Sequence, residues 1–423
     1  MNSLPHRPPS ASARSSLVYH HRRPLHIPRD SPSHFNRLFQ PLTHAQQLFD
    51  TVASQGPGNA LYFKHQLQQR YHYPPLAFCS NASVVINRAD KFSAQLHSLC
   101  TSLQTVVPFA YCQIYLTPPN SQTVRAHSDD RDVLLLQVLG QKLWRIYDAP
   151  VPLPYKHEEV GKTPERPHHT RREDALLQAL VSCGDTLYIP RGFVHEGTAS
   201  EVASMHITVA LQTSDWDYVS LITRAVECCL QQHFPARQCP FVGGDRISSG
   251  DALDFALPEE TELKFRSLCQ EALDRVSLAR ATALFNERMS ALRQERDVEA
   301  TDNVFNSSHV LLDLNTRIVW NSDVHIDWQQ QQQQQQVHET GAGAAPSAED
   351  EAVILCKFTR RSSGQNALLS ASPQLSRVLS RAFSLSQPFT IGSIDASTDM
   401  FRICAAKLML NNGYCLLAGE HHP

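Results

Sequence analysis

The sequence predicts an α+β protein centred on a double-sheet β-fold or barrel, and three observations carry that expectation. Between Tyr111 and Leu211, short runs of β-branched and aliphatic residues recur, separated by Pro, Gly, Asn and Ser. On both sides of that stretch the apolar residues switch to helical spacing. The strands also follow one another too closely to alternate with helices in βαβ units, which points to sheets packed face to face.

At 423 residues the chain is long enough for two or three domains. Apolar content of 42% and charged content of 19% fit a globular protein with a real core. Lys and Arg total 38 against 41 Asp and Glu, a net charge of -3, which argues against gripping nucleic acid through bulk positive potential. No apolar run approaches the roughly 18 residues of a membrane-spanning helix, so none is expected. The 11 cysteines form no C-x-x-C pair, and the odd count argues against a secreted disulfide scaffold, so reduced thiols in an intracellular protein are expected.

Residues 1–37 are rich in Pro, Ser, Arg and His and carry no acidic residue before Asp30. They read as a disordered tail, and the lack of an apolar stretch argues against a secretory signal. The basic pair Arg22 and Arg23 fits a nuclear role, and the nucleus, more narrowly the nucleolus, is the expected location. The same Arg- and Ser-rich composition also fits a mitochondrial or plastid transit peptide, although Pro5, Pro8, Pro9, Pro24 and Pro28 would break its amphipathic helix.

Order is expected from about Phe35. Helical patterns fit Ala45–Ala53, Ala60–Tyr71 and Lys91–Leu103. Strands follow at Tyr111–Leu116, Val133–Leu139, Lys142–Tyr147, Thr186–Ile189 and Ser204–Leu211. Helical spacing returns in Asp217–Phe234 and in one long amphipathic stretch, Glu262–Glu295. The last segment reads as a small α+β unit. It has a hairpin of Val310–Leu314 with Arg317–Ile326, a strand at Ala352–Phe358, helices at Pro373–Phe383 and Thr398–Leu410, and a strand at Gly413–Leu417. Eight glutamines, Gln329–Gln336, and an Ala/Gly/Ser linker interrupt it as a low-complexity loop.

The chemistry lies in His127-Ser128-Asp129-Asp130 and in Pro190-Arg191-Gly192-Phe193-Val194-His195. His-x-Asp on a strand places both side chains on one face, because strand side chains alternate with period two. A distant histidine then completes a 2-His-1-carboxylate triad of His127, Asp129 and His195, a set that suits non-haem iron with open coordination positions. The same alternation selects Asp129 over Asp130. Gly140-Gln141 reads as a two-residue turn of a hairpin, setting Lys142 opposite Leu139 and, counting by twos, on the face of His127 and Asp129. A lysine buried there needs an anionic partner, which a dicarboxylate would supply. A single bulge would reverse the face and make it a solvated hairpin residue. In Ser204–Leu211, Ser204, His206 and Thr208 form a polar stripe that faces either a cavity or water.

These segments resemble the JmjC-domain, cupin-fold 2-oxoglutarate oxygenases. The similarity is greatest to the ribosomal oxygenases, histidyl hydroxylases also classed as lysine-specific histone demethylases. The matching strings are Tyr115–Gln122, His127–Asp130, Leu135–Tyr147, Gly184–Gly192 and Ser204–Thr208. The resemblance implies a double-stranded β-helix (jelly-roll) core with flanking helices, a helical dimerisation region and a winged-helix-like C-terminal domain. It divides the chain into a tail at 1–37, an oxygenase domain at 38–214, a helical region at 215–302 and a C-terminal domain at 303–423 with a Gln-rich insertion at 329–350. It implies Fe(II) held by His127, Asp129 and His195, with 2-oxoglutarate and O2 as cosubstrates. Lys142 would take the distal carboxylate of 2-oxoglutarate, with Tyr115 and Thr208 hydrogen-bonding nearby, and Gln113 stands where the family often has Asn. Ser128 replaces the usual Tyr between the ligands, and Thr123–Ala126 replaces a Gly/Pro-rich approach, which changes the rim that meets substrate.

The resemblance implies hydroxylation of a protein side chain, with a histidine of a large-subunit ribosomal protein as target and histone H3 methyl-lysine as the alternative. It also implies a homodimer. Two other classes compete. A metal-binding β-barrel without oxygenase activity needs no buried Lys142. A DNA-binding regulator would use the basic cluster of Lys357, Arg360, Arg361, Arg377 and Arg381.

Overall fold

A computed structural model describes residues 22–55, 57–163, 165–231, 236, 246–249, 252–255, 259–302, 310–330, 354–385 and 388–418. The first 21 residues of the expected tail, and the glutamine tract beyond Gln330, lie outside them.

The described chain opens with strand β1 (Leu25–Ile27), within the stretch expected to be disordered. It pairs antiparallel with a strand of the main sheet, and His26 Nε2 reaches Asp185 Oδ2 at 3.0 Å, so this end is tied down by backbone and side chain together. Helix α1 (Pro41–Ser54) follows, as the apolar spacing predicts, with Pro41 pre-set for the first turn. The helix expected over Ala60–Tyr71 is instead a hairpin of β2 (Ala60–Lys64) and β3 (Leu67–Gln69). His65 and Gln66 both have positive φ, 51° and 62°, the backbone of a type I′ turn, and that local geometry overrides the helical spacing.

Next come α2 (Pro74–Cys79), β4 (Ser83–Ile86), α3 (Ala94–Leu103), β5 (Ala110–Thr117), β6 (Asp132–Leu139) and β7 (Gln141–Ile146). Then follow β8 (Leu177–Ser182), β9 (Thr186–Ile189), β10 (His195–Ala199) and β11 (Ser204–Leu211). Strands β8 and β10 escape the sequence patterns, because neither is rich in β-branched residues. One antiparallel sheet runs β1-β9-β6-β11-β5-β4-β2-β3, and a second runs β10-β7-β8. The expected double-sheet fold is present. Between the sheets lies a buried cluster that includes Val133, Leu135, Trp144, Ile146, Val181 and Leu187. The opposite face of the large sheet, with Ile114, Leu116, Val138, Met205 and Ile207, packs on the helices.

Two corrections bear on the site. Strands β6 and β7 do not form a hairpin: they belong to different sheets, and Gly140 (φ +63°) is the corner between them. A Cβ there would meet Ala203 O at 2.1 Å, so the corner needs glycine. The counting by twos also fails, because the β6–β11 register shifts between Met205 and His206, and Leu139 packs with the helix-side core.

Beyond β11, helix α4 (Tyr218–Gln231) is followed by the pair β12 (Arg246–Ser249) and β13 (Ala252–Phe255). The single stretch expected over Glu262–Glu295 is two helices, α5 (Glu259–Arg275) and α6 (Leu278–Asp302), parted at Val276 and Ser277. Ser277 takes the role of a helix cap, its Oγ accepting from Arg280 N. No described helix is long and apolar enough to cross a membrane.

The C-terminal segment is a small α+β unit. It contains β14 (Arg317–Trp320), β15 (Val324–Gln330), β16 (Ile354–Arg360), β17 (Asn366–Ala371), α7 (Pro373–Phe383), β18 (Phe389–Thr390), α8 (Asp399–Asn411) and β19 (Cys415–Leu417). The expected hairpin of Val310–Leu314 with Arg317–Ile326 is absent from the described residues. Val310–Leu314 is not a strand, and Arg317–Ile326 divides between the sheets β18-β14-β19 and β15-β16-β17. This unit shares one core with the N-terminal helices: Ser372 Oγ donates to Cys79 O at 2.7 Å, and Lys407 Nζ pairs with Asp50 at 2.6 Å. Within its basic cluster, Arg381 pairs with Asp395, and the Arg361 N–H donates to Asp323 O at 2.7 Å.

Candidate metal centre

His127 and His195 are joined through their backbones. His127 N donates to His195 O at 3.1 Å and His195 N donates to His127 O at 2.9 Å, an isolated antiparallel bridge. The side chains of a directly opposed pair leave the same side, so the two imidazoles sit with ring centroids 4.5 Å apart. The expected His-x-Asp strand is therefore a single bridge residue followed by a loop, and His195 opens β10 rather than trailing β9.

The donor set suits a metal. His127 Nδ1–H donates to Arg125 O at 2.8 Å, and His195 Nδ1–H donates to Phe193 O at 3.0 Å. With that tautomer fixed, both Nε2 lone pairs face inward, where Asp129 Oδ1 lies 3.9 Å from His127 Nε2 and Oδ2 lies 3.5 Å from His195 Nε2. One ligand atom from each of the three residues lies within 4.8 Å of the others. Burial, aided by the neighbouring His195, drops the His127 pKa to about 4, and burial lowers His195 as well, so both rings are neutral, the form that binds metals. Burial alone would raise Asp129. The Lys162 ammonium and the two imidazoles outweigh it and hold the carboxyl well below the usual range. Asp130 points elsewhere, pairing with Arg131, and burial beside Glu159 raises it to about 6.

The loop carrying Asp129 is clamped by residues 156–162. Ser128 N donates to Val160 O and Val160 N to Ser128 Oγ, both at 3.1 Å, so Ser128 ties the two segments together. Glu159 accepts from Asp130 N at 3.0 Å. Lys162 Nζ reaches Asp129 Oδ1 at 2.5 Å and Glu159 Oε1 at 2.7 Å. Neither Glu159 nor Lys162 belongs to a motif, and sequence reasoning missed both.

Lys142 is only 2% exposed, which rules out the solvated hairpin lysine. Its Nζ donates to Thr117 Oγ1 at 3.1 Å and lies 5.3 Å from the Trp144 ring centroid. Burial without a carboxylate partner drops its pKa to about 7. Trp144 links this lysine to the triad, since its ring lies 6.1 Å from His195 and 5.5 Å from His206. Three polar atoms here are buried with no hydrogen-bond partner: Trp144 Nε1, His206 Nδ1 and Gln137 Oε1. Orphaned groups around an uncompensated ammonium describe an interior fitted to a polar, anionic guest.

The polar stripe of β11 faces this interior, with Ser204, His206 and Thr208 all buried. Tyr115 stacks on His206 with centroids 4.9 Å apart, and burial with the Asp129 charge pushes its phenol up to about 12. Gln113, paired in register with Thr208, donates to Asn87 Oδ1 at 2.8 Å and accepts from Tyr115 OH at 3.4 Å. Along the same face, Tyr111 and Gln113 line a cavity of about 460 Å³ that Arg88 and Arg131 also border.

Residues 86–219 match the family model described as the JmjC domain. Human ribosomal oxygenase 1 is 29% identical over 197 residues, covering 44% of this chain and 30% of that protein. The bifunctional lysine-specific demethylase and histidyl-hydroxylase of Dictyostelium discoideum is 33% identical over 179 residues, covering 39% of this chain and 33% of that protein. The chain thus spans about a third of the length of these relatives. Among solved structures, the Escherichia coli ribosomal oxygenase YcfD with cobalt and 2-oxoglutarate aligns over 96% of this chain and 98% of its own, at 16% identity and a TM-score of 0.44.

Proposed function

Taking the JmjC domain at residues 86–219 as premise, we propose that this chain is an Fe(II)- and 2-oxoglutarate-dependent dioxygenase that hydroxylates a protein side chain. The observation that carries it is the pairing of two features in one interior. His127, Asp129 and His195 converge there, and Lys142 is buried there against the Thr117 hydroxyl and the Trp144 ring. The fully buried lysine favours this reading over a metal-binding barrel without oxygenase activity, in which it would have no anion to meet.

His127 and His195 would bind iron through Nε2, with Asp129 as the anionic ligand and Lys142 gripping the distal carboxylate of 2-oxoglutarate. Tyr115 and Thr208 would hydrogen-bond beside it. Bound there, iron and 2-oxoglutarate supply the oxidising chemistry, consuming O2 and releasing succinate and carbon dioxide. Trp144, His206 and Tyr115 wall the interior and exclude water. The cavity lined by Tyr111 and Gln113 continues the same sheet face and is a suitable approach for a polypeptide.

The names of the relatives favour a ribosomal-protein histidine as the target. The exposed apolar residues Val219, Ile222, Leu263 and Phe265 on α4 and α5 support a homodimer through the helical region. Incubation with iron(II), 2-oxoglutarate and peptides of the large-subunit ribosomal proteins should add one oxygen to a histidine. Addition to none of them, with demethylation of a histone H3 peptide, would replace the hydroxylase assignment.

A further inference from the structure

The carboxylate corner of the triad already has a cation. Asp129 Oδ1 accepts from Lys162 Nζ at 2.5 Å while Oδ2 faces His195. The lysine is no surface arm swinging past, because the backbone beside it is stitched to the ligand loop. Ser128 and Val160 exchange two hydrogen bonds, and Gly161 (φ +77°) lies so close that a Cβ would meet Ala126 O at 2.0 Å. Its second partner, Glu159, is itself buried and fixed by the Asp130 N–H and by Lys156 at 2.7 Å. Lys162 therefore has a carboxylate on either side, one of which belongs to the triad.

A divalent ion held by the two imidazoles and Asp129 would stand within a few ångströms of this ammonium, and like charges that close repel. Glu159 gives the lysine somewhere to remain. We propose that Lys162 is a resident counter-cation of Asp129: it holds the carboxylate in place in the metal-free protein, and yields it to the metal while keeping Glu159. Lys162 is thus a positioning residue that sets metal affinity by competition. This inference rests on the triad being a metal site.

The test is calorimetric titration of the whole protein with cobalt(II), beside thermal melts in chelator. Lys162→Met should bind cobalt about tenfold more tightly, the step set by one charge-assisted hydrogen bond. Its metal-free form should melt lower than wild type, and the rise in melting temperature on adding cobalt should be larger. Lys162→Arg, which keeps the charge, should stay within a few-fold of wild type. Lys162→Gln keeps a donor without the charge, and gives the same reading if the Met variant does not fold. Equal or weaker cobalt binding by the uncharged variants, with wild type binding normally, overturns the proposal and leaves the metal site standing. If wild type binds no cobalt, the metal-site reading falls, and this proposal with it.

Discussion

His127 and His195 form a hydrogen-bonded backbone pair, and each donates from Nδ1 to the carbonyl of the residue two positions earlier, Arg125 and Phe193. Two segments far apart in sequence thus present imidazoles with the same tautomer and the same inward nitrogen. The backbone bridge sets their spacing, so the site is built before any ligand arrives.

Removing either ring should therefore abolish metal uptake rather than weaken it slightly. His195→Ala should lose more than about 100-fold in cobalt(II) affinity by calorimetry, beyond the effect of disturbing an outer partner. Retention of wild-type affinity would contradict the assignment of that ring.

Lys142 sets a second expectation. Its pKa falls from 10.5 to about 7, so between those values the folded protein has shed a proton that the unfolded chain retains. Stability contributed at this position therefore rises with pH across that window, and the penalty is full below about 7. Lys142→Met should stabilise the ligand-free protein by about 1–3 kcal/mol at or below neutral pH. Urea denaturation at a series of pH values should show that gain shrinking as pH rises.

The same variant should bind 2-oxoglutarate poorly. In wild type the dicarboxylate requires the ammonium form, so its affinity should fall by up to tenfold per pH unit above about 7. Binding should also take up a proton, which calorimetry in buffers of different ionisation heat can detect. A pH-independent affinity would show that Lys142 does not meet the cosubstrate.

Gly161 tests the clamp on the ligand loop. Gly161→Ala adds a Cβ that would meet Ala126 O at 2.0 Å and His127 Cα at 2.9 Å, at a φ of +77°. The loop must shift, at a cost of about 1–3 kcal/mol, and metal affinity should fall with it. A variant with unchanged melting temperature and unchanged cobalt binding would show that residues 156–162 do not hold Asp129.

Much of this site was legible in the sequence, though not always for the reason the pattern gave. His127, Asp129 and His195 converge, yet no strand carries His127 and Asp129 together; a single bridge and a clamped loop do. Lys142 is buried, yet the hairpin that predicted it does not exist. The register shift at Met205/His206 turns Leu139 away, and Gly140 carries the chain across to the second sheet. The helix expected over Ala60–Tyr71 failed where two left-handed residues, His65 and Gln66, made a turn that apolar spacing does not encode. Lys162 and Glu159 were invisible because their meaning comes from contacts distant in sequence, Lys162 with Asp129 across 33 residues and Glu159 with the Asp130 N–H across 29, and not from a local pattern.

If the triad and Lys142 work together as an oxygenase centre, 2-oxoglutarate should be turned over to succinate, which NMR can follow with iron(II), O2 and a peptide substrate. Wild type should release succinate, His127→Ala none, and Lys142→Met strongly reduced amounts that recover in part at high 2-oxoglutarate. Succinate formed equally by all three proteins, or by none of them, would contradict this joint role.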